Sequence, residues 1–415
     1  MAIEVVIMAG GKGTRIASVD STVPKPMIPV CGKPVLEHLI ESLVRQGYVR
    51  LTLVTGHLGH VIQDYFKDGT DFGADISYYH EEAPLGTAGA LIDMKNKLDD
   101  SFLLLNGDNI IDMDFNRLMA FHRNRNALAT LAAHPNSHPY DSALLVCDEE
   151  DRVVRWYTKE EERPACRNLV NAGVHVLSAK LLENFSAVEK LDLDRRVLKP
   201  SIDTGRIFAY KTPEYIMDMG TPERLEQVNQ DYVNGVVQAR NLSNPQRAVF
   251  LDRDGTINQY RGFITNPDQI ELEPGAAQAI RSINCAGLLA IVVTNQPVIA
   301  RGDCSLERLE AIHCELESQL GAQGAYLNDI FFCPHHPDKG FEGEIAELKI
   351  DCSCRKPKPG MLLMAAKKYN INLKESWMVG DSLCDIEAGE AAGCKTFFVG
   401  KDTSLLDFVN NELDG

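Results

Sequence analysis

The chain has 415 residues, of which 44% are hydrophobic and 24% charged, enough material for two or three globular domains. Its formal net charge of −17 argues against nucleic acid or an anionic membrane as the main partner. The sequence has no run of about 18 apolar residues for a membrane-spanning helix, and its first residues lack the basic region and cleavage site of a signal peptide. We therefore expect a cytoplasmic protein that acts on small molecules, with homo-oligomer formation left open.

Apolar runs alternate with amphipathic stretches along the first half of the chain. The predicted strands lie at 4–8, 50–55, 76–79, 102–106 and 127–133, and the predicted helices at 34–46 and 222–232. This alternation is typical of a largely parallel sheet covered by helices. We predict an α/β domain over residues 1–233.

A second α/β domain follows a weakly periodic stretch at 234–246, rich in Asn, Ser and Pro, which we interpret as a linker. We expect this domain to span 247–402 and residues 403–415 to form a short helix or a tail. Its predicted strands lie at 248–251, 288–294, 329–332, 376–379 and 396–399. The predicted fold class is therefore α/β, in two domains.

A glycine-rich turn follows the first predicted strand. Glycines let the backbone turn tightly and bring its N–H groups against phosphate oxygens, and Lys12 and Arg15 add positive charge where a triphosphate would lie. The spacing is neither G-x-G-x-x-G nor the Walker pattern, which disfavours a dinucleotide-binding fold or a P-loop. The nucleotide-binding candidates in this turn are Ala9, Gly10, Gly11, Gly13 and Thr14.

The wider string MAGGKGTRI, followed by a Lys-Pro pair at Lys25, resembles the signature of the sugar-1-phosphate nucleotidyltransferases. Four further segments extend the resemblance in the family's order, and it implies a Rossmann-like nucleotidyltransferase domain. By this resemblance, Gly86 and Thr87 contact the base, Asp108 and Asp218 bind magnesium and Asn171 contacts the sugar.

This set suits the attack of a sugar phosphate oxygen on the α-phosphorus of a nucleoside triphosphate. Both reactants are anions, so catalysis consists mostly of alignment and charge neutralisation. Mg²⁺ held by Asp108 and Asp218 would bridge phosphate oxygens, while Arg15 and Lys25 would stabilise charge from the protein side. Taken singly, either aspartate could instead be a helix N-cap.

The group that binds the sugar phosphate is less well defined. Many members of the family carry Glu-Lys-Pro before the Asn-Ala-Gly segment, whereas residues 157–164 read YTKEEERP here. Lys159 is our candidate, with Arg163 as the alternative, and the rest of the stretch could be a solvated charged face.

The first strand of the second half ends in the pattern D-x-D-G-T. Carboxylates two residues apart on a strand point to the same face, so Asp252 and Asp254 can meet one phosphate and one Mg²⁺. The pattern resembles the signature of the haloacid-dehalogenase (HAD) phosphatases, which implies a Rossmannoid domain. Asp252 would then attack phosphorus to form an aspartyl-phosphate, and Asp254 would transfer the proton. Two such carboxylates repel each other without a cation, so Mg²⁺ is required.

The remaining elements of that superfamily occur in order at predicted strand ends. Thr294 would hold the phosphoryl oxygens and Lys356 would neutralise the phosphoryl group. Asp381 would complete the magnesium shell, with Asp385 as a further ligand or as its neighbour. Turn aspartates and a surface lysine are the alternative interpretation. The adjacent candidates for substrate binding are Asn295 and Arg355.

Three of the eleven cysteines fall in one short segment with a histidine. Cys333, His335, Cys352 and Cys354 offer three sulfurs and one imidazole, which suits tetrahedral Zn²⁺ in a closed, structural site. The spacing is tighter than the usual C-x-x-C pairs. Reduced free cysteines are the alternative, and His336 is an alternative ligand.

This combination resembles the heptose-1,7-bisphosphate phosphatases and their histidinol-phosphatase relatives. The family's Thr-Asn-Gln-x-x-x-Ala-Arg-Gly stretch is matched at 294–302, but Pro297 and Val298 replace the usual Ser and Gly. We expect altered substrate handling at these two positions. The first domain is similar to the D-glycero-α-D-manno-heptose-1-phosphate guanylyltransferases, notably at 168–175 and 191–195.

The two resemblances together imply a bifunctional enzyme that makes GDP-heptose for surface polysaccharide. Removal of the 7-phosphate from heptose 1,7-bisphosphate leaves heptose 1-phosphate, which a guanylyltransferase consumes with GTP. One rival is a mannose- or glucose-1-phosphate nucleotidyltransferase fused to a phosphatase of other specificity, such as that for histidinol phosphate. Another makes the first domain a regulatory sugar-nucleotide sensor.

Overall fold

The computed structural model describes residues 3–11, 23–185, 188–340 and 342–413. The chain forms two compact units. The first comprises Met1–Ala133, Leu145–Trp156 and Asn171–Ser243, and the second His134–Leu144, Tyr157–Val170 and Asn244–Gly415. The predicted domain boundaries, with a linker at 234–246, stay a prediction.

The strands and helices of the first half alternate as the hydrophobic pattern predicts. The strands are β1 Val5–Met8, β2 Pro29–Val30, β3 Lys33–Pro34, β4 Arg50–Thr55, β5 Asp75–His80, β6 Ser101–Asn106, β7 Asn109–Asp112, β8 Ala129–His134, β9 Leu144–Cys147, β10 Val153–Tyr157, β11 Val170–Ser178, β12 Ile207–Lys211 and β13 Tyr215–Asp218. The α-helices are α1 Val35–Arg45, α2 Gly59–Phe66, α3 Gly86–Met94, α4 Phe115–Asn124, α5 Pro222–Val233 and α6 Val236–Ala239.

The main sheet of the first unit is built around β1, which lies parallel to both β4 and β6. All of its side chains except Met8 are fully buried, because helices cover both faces of such a strand. The path through the sheet is β10-β9-β11-β6-β1-β4-β5, with β8 and β12 attached beside β11. The carboxyl ends of β1 and β6 therefore meet at one edge, where the glycine-rich turn and Asp108 follow.

The sheet is mixed, whereas a largely parallel sheet was expected. β11 runs antiparallel to β6 and β9, and β13 runs antiparallel to β7 in a separate two-stranded sheet. The predicted helix at 34–46 is α1, whose buried residues Leu36, Leu39, Ile40 and Leu43 follow the helical spacing of three and four.

The second unit holds a sheet of five parallel strands in the order β16-β15-β14-β17-β18. Its strands are β14 Ala248–Leu251, β15 Leu289–Asn295, β16 Asp329–Cys333, β17 Trp377–Gly380 and β18 Lys395–Phe398. Its helices are α7 Ala276–Cys285, α8 Leu306–Gly321, α9 Gly360–Tyr369, α10 Leu383–Ala392 and α11 Leu405–Glu412. The carboxyl ends of β14, β15 and β17 are adjacent, and this is the edge where an α/β sheet of this kind binds its ligands.

Two short segments from the first half of the chain, 134–144 and 157–170, also belong to the second unit and are hydrogen-bonded to α8, the first through the Tyr140 hydroxyl, which donates to the carbonyl of Ser318 at 2.8 Å. Arg167 Nε lies 2.8 Å from Glu317 Oε1, and the backbone N–H of Asn168 donates to Glu317 Oε2 at 2.6 Å. Arg163 donates to the carbonyl oxygens of Ser142 and Pro139 at 2.7 and 2.6 Å. The side chain of Arg163 therefore has a structural role within the unit.

Each predicted strand is present within two residues of its expected bounds. The short helix named as one alternative for the C-terminal residues is α11, with Leu405, Phe408 and Val409 buried in the core of the second unit. None of the helices in the described ranges is long and apolar enough to cross a membrane.

Candidate active sites

The first unit contains a cavity of about 420 Å³ at the carboxyl ends of β1 and β6. The predicted nucleotide-binding segments line it together, although they are far apart in sequence. The lining residues include Ala9, Gly10, Gly11, Lys25, Glu81, Gly86, Thr87, Asn106, Asp108 and Gly220. Gly13, Thr14 and Arg15, which the sequence analysis also assigned, lie outside the described residues.

Lys25 and Asp108 form an ion pair in this cavity, with 2.5 Å between Nζ and Oδ2. The lysine side chain is 10% exposed and the aspartate 35%, so the carboxylate keeps a face open to the cavity. Asp218 comes close by strand register, because β13 pairs with β7 and places Asp218 opposite Asn109. The Asp218 carboxylate pairs with Arg224 and accepts the backbone N–H of Gly220.

The Asp108 carboxylate lines the cavity, and Asp218 contacts Gly220, which lines it too. Carboxylate oxygens of this kind fit a hard divalent cation such as Mg²⁺, which prefers oxygen ligands and retains several waters. A cation there would also relieve the repulsion between these carboxylates and an incoming triphosphate.

The first turn of α3, at Gly86 and Thr87, is joined by hydrogen bonds to the segment at 191–193. The N–H of Ala88 donates to the carbonyl of Leu191 at 3.0 Å, and the N–H of Leu193 donates to Thr87 Oγ1 at 2.7 Å. Gly86 has φ +74°, and a Cβ there would lie 2.5 Å from the carbonyl oxygen of Leu191. Only glycine therefore lets these two segments approach this closely.

Asn171 lies in a small polar cluster with two other residues of the segments that resemble the guanylyltransferases. His175 Nε2 is 3.1 Å from Asn171 Oδ1, and the Asn171 side chain also hydrogen-bonds to Asp194. Burial, reinforced by the charge of Asp192, raises the pKa of Asp194 to about 6. Burial lowers the pKa of His175 to about 4, so the imidazole is neutral at physiological pH. The cluster thus offers sugar hydroxyls a neutral amide, a neutral imidazole and a carboxyl group whose pKa lies about one unit below neutral pH.

The second unit gathers three carboxylates and a lysine at the edge of its sheet. The carboxylate oxygens of Asp252, Asp381 and Asp385 lie within 4.8 Å of one another. Lys356 Nζ is 2.6 Å from both Asp252 Oδ1 and Asp385 Oδ1, and its side chain is 2% exposed. This donor set fits Mg²⁺, because three clustered carboxylates exceed the charge that one lysine can neutralise.

Burial affects the pKa values of both Asp252 and Lys356. It raises the pKa of Asp252 to about 6, an effect that Lys356 opposes and Asp385 reinforces. Burial alone would lower the pKa of Lys356, but Asp252 and Asp385 outweigh it and raise that pKa. The short contact to a charged lysine favours the ionised form of Asp252, which is the form a nucleophile needs.

Local structure explains why Asp381 and Asp385 meet Asp252. Asp381 follows β17 directly, and Asp385 caps the first turn of α10 by accepting the N–H of Ser382 at 3.0 Å. Gly255, with φ +85°, allows the approach, since a Cβ there would lie 2.2 Å from Asp381 Oδ2.

Asp254 lies outside this carboxylate group, although the sequence analysis assigned it to the magnesium site as well as to proton transfer. Its side chain accepts hydrogen bonds from Arg253, Asn258 and Gln296 at 2.8–3.1 Å. Asp385 is the third carboxylate of the group in its place, as one of the two roles expected for it.

The neighbouring candidates orient the site in different ways. Thr294 is buried at the end of β15 and accepts a hydrogen bond from Gln296 at 3.0 Å. Asn295 exchanges two hydrogen bonds with the backbone of Lys356, at 3.0 and 3.1 Å, and so fixes the backbone position of this lysine. Arg355 donates to the carbonyl of His335 at 3.2 Å.

Cys333, His335, Cys352 and Cys354 converge on one point. Their sulfurs are 3.2–3.4 Å apart, and His335 Nδ1 lies 3.5–3.6 Å from two of them. These separations are close to the edge of a tetrahedron around Zn²⁺, which is roughly 3.8 Å for sulfur ligands. His336 points elsewhere and accepts the N–H of Asp338. The donor set therefore fits a closed zinc site.

Comparisons with known proteins agree with this geometry. A family model described as nucleotidyl transferase matches residues 4–235, and one described as HAD-hydrolase-like matches residues 353–407. The chain belongs to the nucleotidyl transferase family, and its C-terminal part to the HAD-like phosphatases.

Three curated relatives match large parts of the chain. The mannose-1-phosphate guanylyltransferase of Mycobacterium tuberculosis is 33% identical over 256 residues, which cover 61% of this chain and 70% of the relative. The UTP–glucose-1-phosphate uridylyltransferase of Synechocystis is 30% identical, covering 64% of this chain and 71% of the relative. The D-glycero-beta-D-manno-heptose-1,7-bisphosphate 7-phosphatase of Rhodopseudomonas palustris is 41% identical over 166 residues, which cover 40% of this chain and 90% of the relative.

The protein is thus an enzyme with a nucleotidyl transferase part and a HAD-like phosphatase part, both classes that generally use Mg²⁺. The expectation of two linked enzymatic activities is confirmed. A purely regulatory role for the first part has no support among these relatives. The roles of the individual site residues stay predictions.

Sequence reasoning missed several residues of both sites. Glu81, which lines the nucleotidyl transferase cavity, follows β5 and carries no motif of its own. Arg224 and Arg253 each pair with a carboxylate that had been predicted. The sequence contained a signal for Arg253, because a charged residue next to the end of a buried strand needs an ion-pair partner. The spacing of the motif did not show which residue that partner is.

Lys159 is exposed and lies in a segment that belongs to the second unit. Its proposed contact with a sugar phosphate stays a prediction.

Proposed function

We propose that this enzyme makes a nucleotide-activated heptose in two steps. The phosphatase part removes the 7-phosphate of D-glycero-D-manno-heptose 1,7-bisphosphate, and the nucleotidyl transferase part joins the resulting heptose 1-phosphate to GMP from GTP. One observation carries the proposal: a chain with a guanylyltransferase relative also spans 90% of a heptose bisphosphate 7-phosphatase at 41% identity. The product of that phosphatase is a sugar 1-phosphate, the kind of substrate that a nucleotidyl transferase consumes.

In the phosphatase part, Asp252 is the proposed nucleophile. Its carboxylate oxygen bonds to phosphorus while the bond from phosphorus to the sugar oxygen breaks, and Asp254 gives a proton to that oxygen. Lys356 stabilises the transferred phosphoryl group, and Thr294 hydrogen-bonds to its oxygens. Mg²⁺ bound at Asp252, Asp381 and Asp385 would supply further charge neutralisation. Water then releases phosphate from Asp252, with Asp254 accepting the proton.

In the nucleotidyl transferase part, the backbone N–H groups at Gly10 and Gly11 are proposed to bind the triphosphate. Lys25 is proposed to stabilise the charge that develops at the α-phosphate, and Asp108 and Asp218 would hold Mg²⁺, which would supply charge neutralisation for the leaving pyrophosphate. The sugar is proposed to lie against Asn171. The sugar phosphate oxygen attacks the α-phosphorus, and the bond to pyrophosphate breaks.

We also propose that Cys333, His335, Cys352 and Cys354 bind a structural Zn²⁺. Arg355 and Lys356 follow the last of these cysteines directly, so an ordered metal clip would fix the start of the segment that carries the catalytic lysine.

The test follows phosphate and pyrophosphate separately in wild type, Asp252→Asn and Asp108→Asn. Each is given Mg²⁺, each anomer of the heptose bisphosphate, and GTP, ATP or UTP in turn. Wild type is expected to release both products with one anomer and GTP. Asp252→Asn should release neither product from the bisphosphate but should form pyrophosphate when heptose 1-phosphate is supplied directly, and Asp108→Asn should release phosphate alone. Wild-type enzyme that releases no phosphate from either anomer contradicts the proposal.

A mannose-1-phosphate guanylyltransferase activity is the second candidate, favoured by the 33% identical relative. It predicts a higher kcat/KM for mannose 1-phosphate with GTP than for heptose 1-phosphate. The same pyrophosphate measurement, with the two sugars in parallel, separates the candidates.

A further inference from the structure

Arg253 is a buried charge at the centre of the phosphatase site. It stands between the two aspartates of the D-x-D pattern, its side chain is 0% exposed, and it heads the largest fully buried side chains of the described chain. A buried guanidinium is costly unless it is paired and hydrogen-bonded. Its placement therefore needs a reason beyond filling space.

The charge of Arg253 is directed at Asp254. Arg253 Nε and Nη2 donate to Asp254 Oδ1 at 3.1 and 2.9 Å, and Nη2 also donates to Oδ2 at 2.8 Å. The carbonyl of Arg253 accepts the N–H groups of Ile257 and Asn258 at 2.9 and 3.1 Å. The side chain and the carbonyl group of Arg253 thus both form hydrogen bonds within the turn at 253–258.

Two neutral amides complete the setting of Asp254. Asn258 Nδ2 donates to Oδ1 and Gln296 Nε2 to Oδ2, each at 3.0 Å. Both carboxylate oxygens are held from two directions, so the plane of the carboxyl group is fixed before a substrate arrives. The amide of Gln296 also reaches Thr294, which ties this setting to the proposed phosphoryl site.

The charge of Arg253 also acts on the buried Cys304 and His313, but its ion pair within the described residues is with Asp254. Asp254 is its carboxylate partner, and its Nη1 has no hydrogen-bond partner within the described ranges. The nearby His313 is fully buried, and burial together with the charges of Arg253 and Arg167 lowers the pKa of His313 well below its usual value. That imidazole is therefore neutral and does not add a second charge beside the pair.

We propose that Arg253 is a positioning residue, which holds Asp254 for proton transfer in both halves of the phosphatase reaction. In the first half, Asp252 bonds to phosphorus while the bond from phosphorus to the sugar oxygen breaks, Asp254 gives a proton to that oxygen, and Arg253 pairs with the carboxylate that remains. In the second half, that carboxylate takes a proton from the water whose oxygen bonds to phosphorus, as the bond from phosphorus to Asp252 breaks. The inference rests on the phosphatase reaction proposed above.

A comparison of substrates whose leaving groups differ in basicity distinguishes this role from a purely structural one. A sugar alkoxide needs a proton from Asp254 to leave, whereas 4-nitrophenolate leaves without one. Release of phosphate from Asp252 needs Asp254 as the base in either case. A variant that misplaces Asp254 should therefore accumulate the aspartyl-phosphate when 4-nitrophenyl phosphate is the substrate.

The experiment compares full-length wild type, Arg253→Met, Arg253→Lys and Asp254→Asn, with Arg281→Met, an exposed arginine on α7, as the matched control. With the heptose bisphosphate, kcat of Arg253→Met should fall about 100-fold while KM changes less than about 2-fold. With 4-nitrophenyl phosphate, rapid mixing should show a burst of about one 4-nitrophenolate per enzyme, followed by slow turnover. Arg253→Lys should recover about tenfold of the lost rate, and the control should match wild type.

Equal losses on both esters without a burst would overturn the inference, as would an Arg253→Met enzyme with wild-type kcat. If Arg253→Met does not fold, as judged by the fluorescence of Trp377, the inference is tested with Arg253→Lys, which should show the burst of 4-nitrophenolate. Failure of the proposed substrate has a different signature: wild type then hydrolyses 4-nitrophenyl phosphate but not the heptose bisphosphate. The leaving-group comparison then proceeds with an alkyl phosphate that wild type accepts.

Discussion

Lys356 balances the negative charge of the phosphatase site. Its ammonium group lies 2.6 Å from two buried carboxylates, Asp252 and Asp385. Replacement by Met would leave these groups without their protein cation and remove a charge that faces the transferring phosphoryl group. We expect kcat for phosphate release to fall about 10²–10³-fold, the usual cost of losing one charge-stabilising donor.

Lys358 provides the matched control for that change. It lies two residues further on, is 43% exposed and pairs with the exposed Asp351. Lys358→Met should keep phosphate release within about 2-fold of wild type, because exposed ion pairs contribute little. A Lys356→Met enzyme that is folded and retains more than a tenth of wild-type kcat would contradict the role given to Lys356.

Gly86 tests the geometry of the nucleotidyl transferase site. A methyl group at this position would meet the carbonyl of Leu191 at 2.5 Å, and the residue already has φ +74°. Gly86→Ala should displace the first turn of α3, which carries Thr87, and lower kcat/KM for the nucleotide about 10–100-fold.

Gly47 is the control for backbone strain alone, since its φ is +86° but no atom lies within 4 Å of an added Cβ. Gly47→Ala should cost about 1–2 kcal/mol of stability and leave pyrophosphate release unchanged. Equal kinetic losses in the two variants would show that strain, and not the contact with Leu191, accounts for the effect.

Sequence motifs located residues whose role depends on local spacing. Asp252 and Asp381 each directly follow a strand in a recognisable pattern, and the parallel sheet brings these strand ends together, whereas Lys356 lies in the segment before α9. Pairings between motifs were not predictable. The hydrogen bond between Asn171 and Asp194 joins residues with no common spacing rule, and it forms only when β11 and the segment after it are packed.

At the scale of elements, Glu214 ties three segments of the first unit together. Its Oε1 accepts the N–H groups of Asp114 and Leu242, at 2.6 and 2.9 Å, and its Oε2 accepts the hydroxyl of Thr212 at 2.7 Å. The start of α4, the turn before β13 and the segment after α6 thus share one buried carboxyl group. Burial raises the pKa of Glu214 to about 7 from an ordinary value of 4.5.

The raised pKa predicts how the stability of the first unit depends on pH. Between about pH 4.5 and 7 the folded state keeps a proton that the unfolded chain has lost, so the free energy of unfolding falls as pH rises through this range. The contribution is about 3 kcal/mol. Glu214→Gln keeps an acceptor for the two backbone N–H groups but does not titrate.

The measurement compares urea unfolding of wild type and Glu214→Gln at pH 5 and pH 8. The variant should gain stability relative to wild type by about 2–3 kcal/mol between these two values. A difference between the two proteins that does not change with pH would mean that Glu214 is ionised in the folded protein throughout.

Elements with a strong period were predictable and those set by tertiary pairing were not. The fully apolar runs of β1 and β14 gave clear strands, and the spacing of α1 gave a clear helix. The direction of β11, antiparallel to its neighbour β6, cannot be read from composition. The same holds for the pair of β7 and β13, whose register places Asp218 opposite Asn109, the residue after Asp108.

At the scale of the whole molecule, each unit contains one of the chain's two tryptophans. Trp156 is buried in the first unit and Trp377 in the second. Chains with two units need not unfold in a single transition. Trp156→Phe and Trp377→Phe variants therefore let each unit be followed separately by fluorescence.

This arrangement makes the metal prediction specific to one unit. Removal of Zn²⁺ from Cys333, His335, Cys352 and Cys354 should release the chain between them and, with it, the segment that begins at Arg355. With Trp377 as the only tryptophan, treatment with a zinc chelator followed by Mg²⁺ should lower the unfolding midpoint of the second unit. The free energy of unfolding of the second unit should fall by several kcal/mol, because the binding energy at a structural zinc site is also folding energy.

The first unit should not respond. With Trp156 as the only tryptophan, chelation should leave the unfolding midpoint unchanged, and pyrophosphate release from a sugar 1-phosphate should stay at its original rate once Mg²⁺ is restored. Phosphate release should fall together with the zinc content and return when Zn²⁺ is added back. Cys352→Ser should reproduce the loss, whereas Cys285→Ser, at an exposed cysteine, should not. Protein that contains no zinc on elemental analysis, yet shows full phosphatase activity, would show that the four residues hold their geometry without a metal.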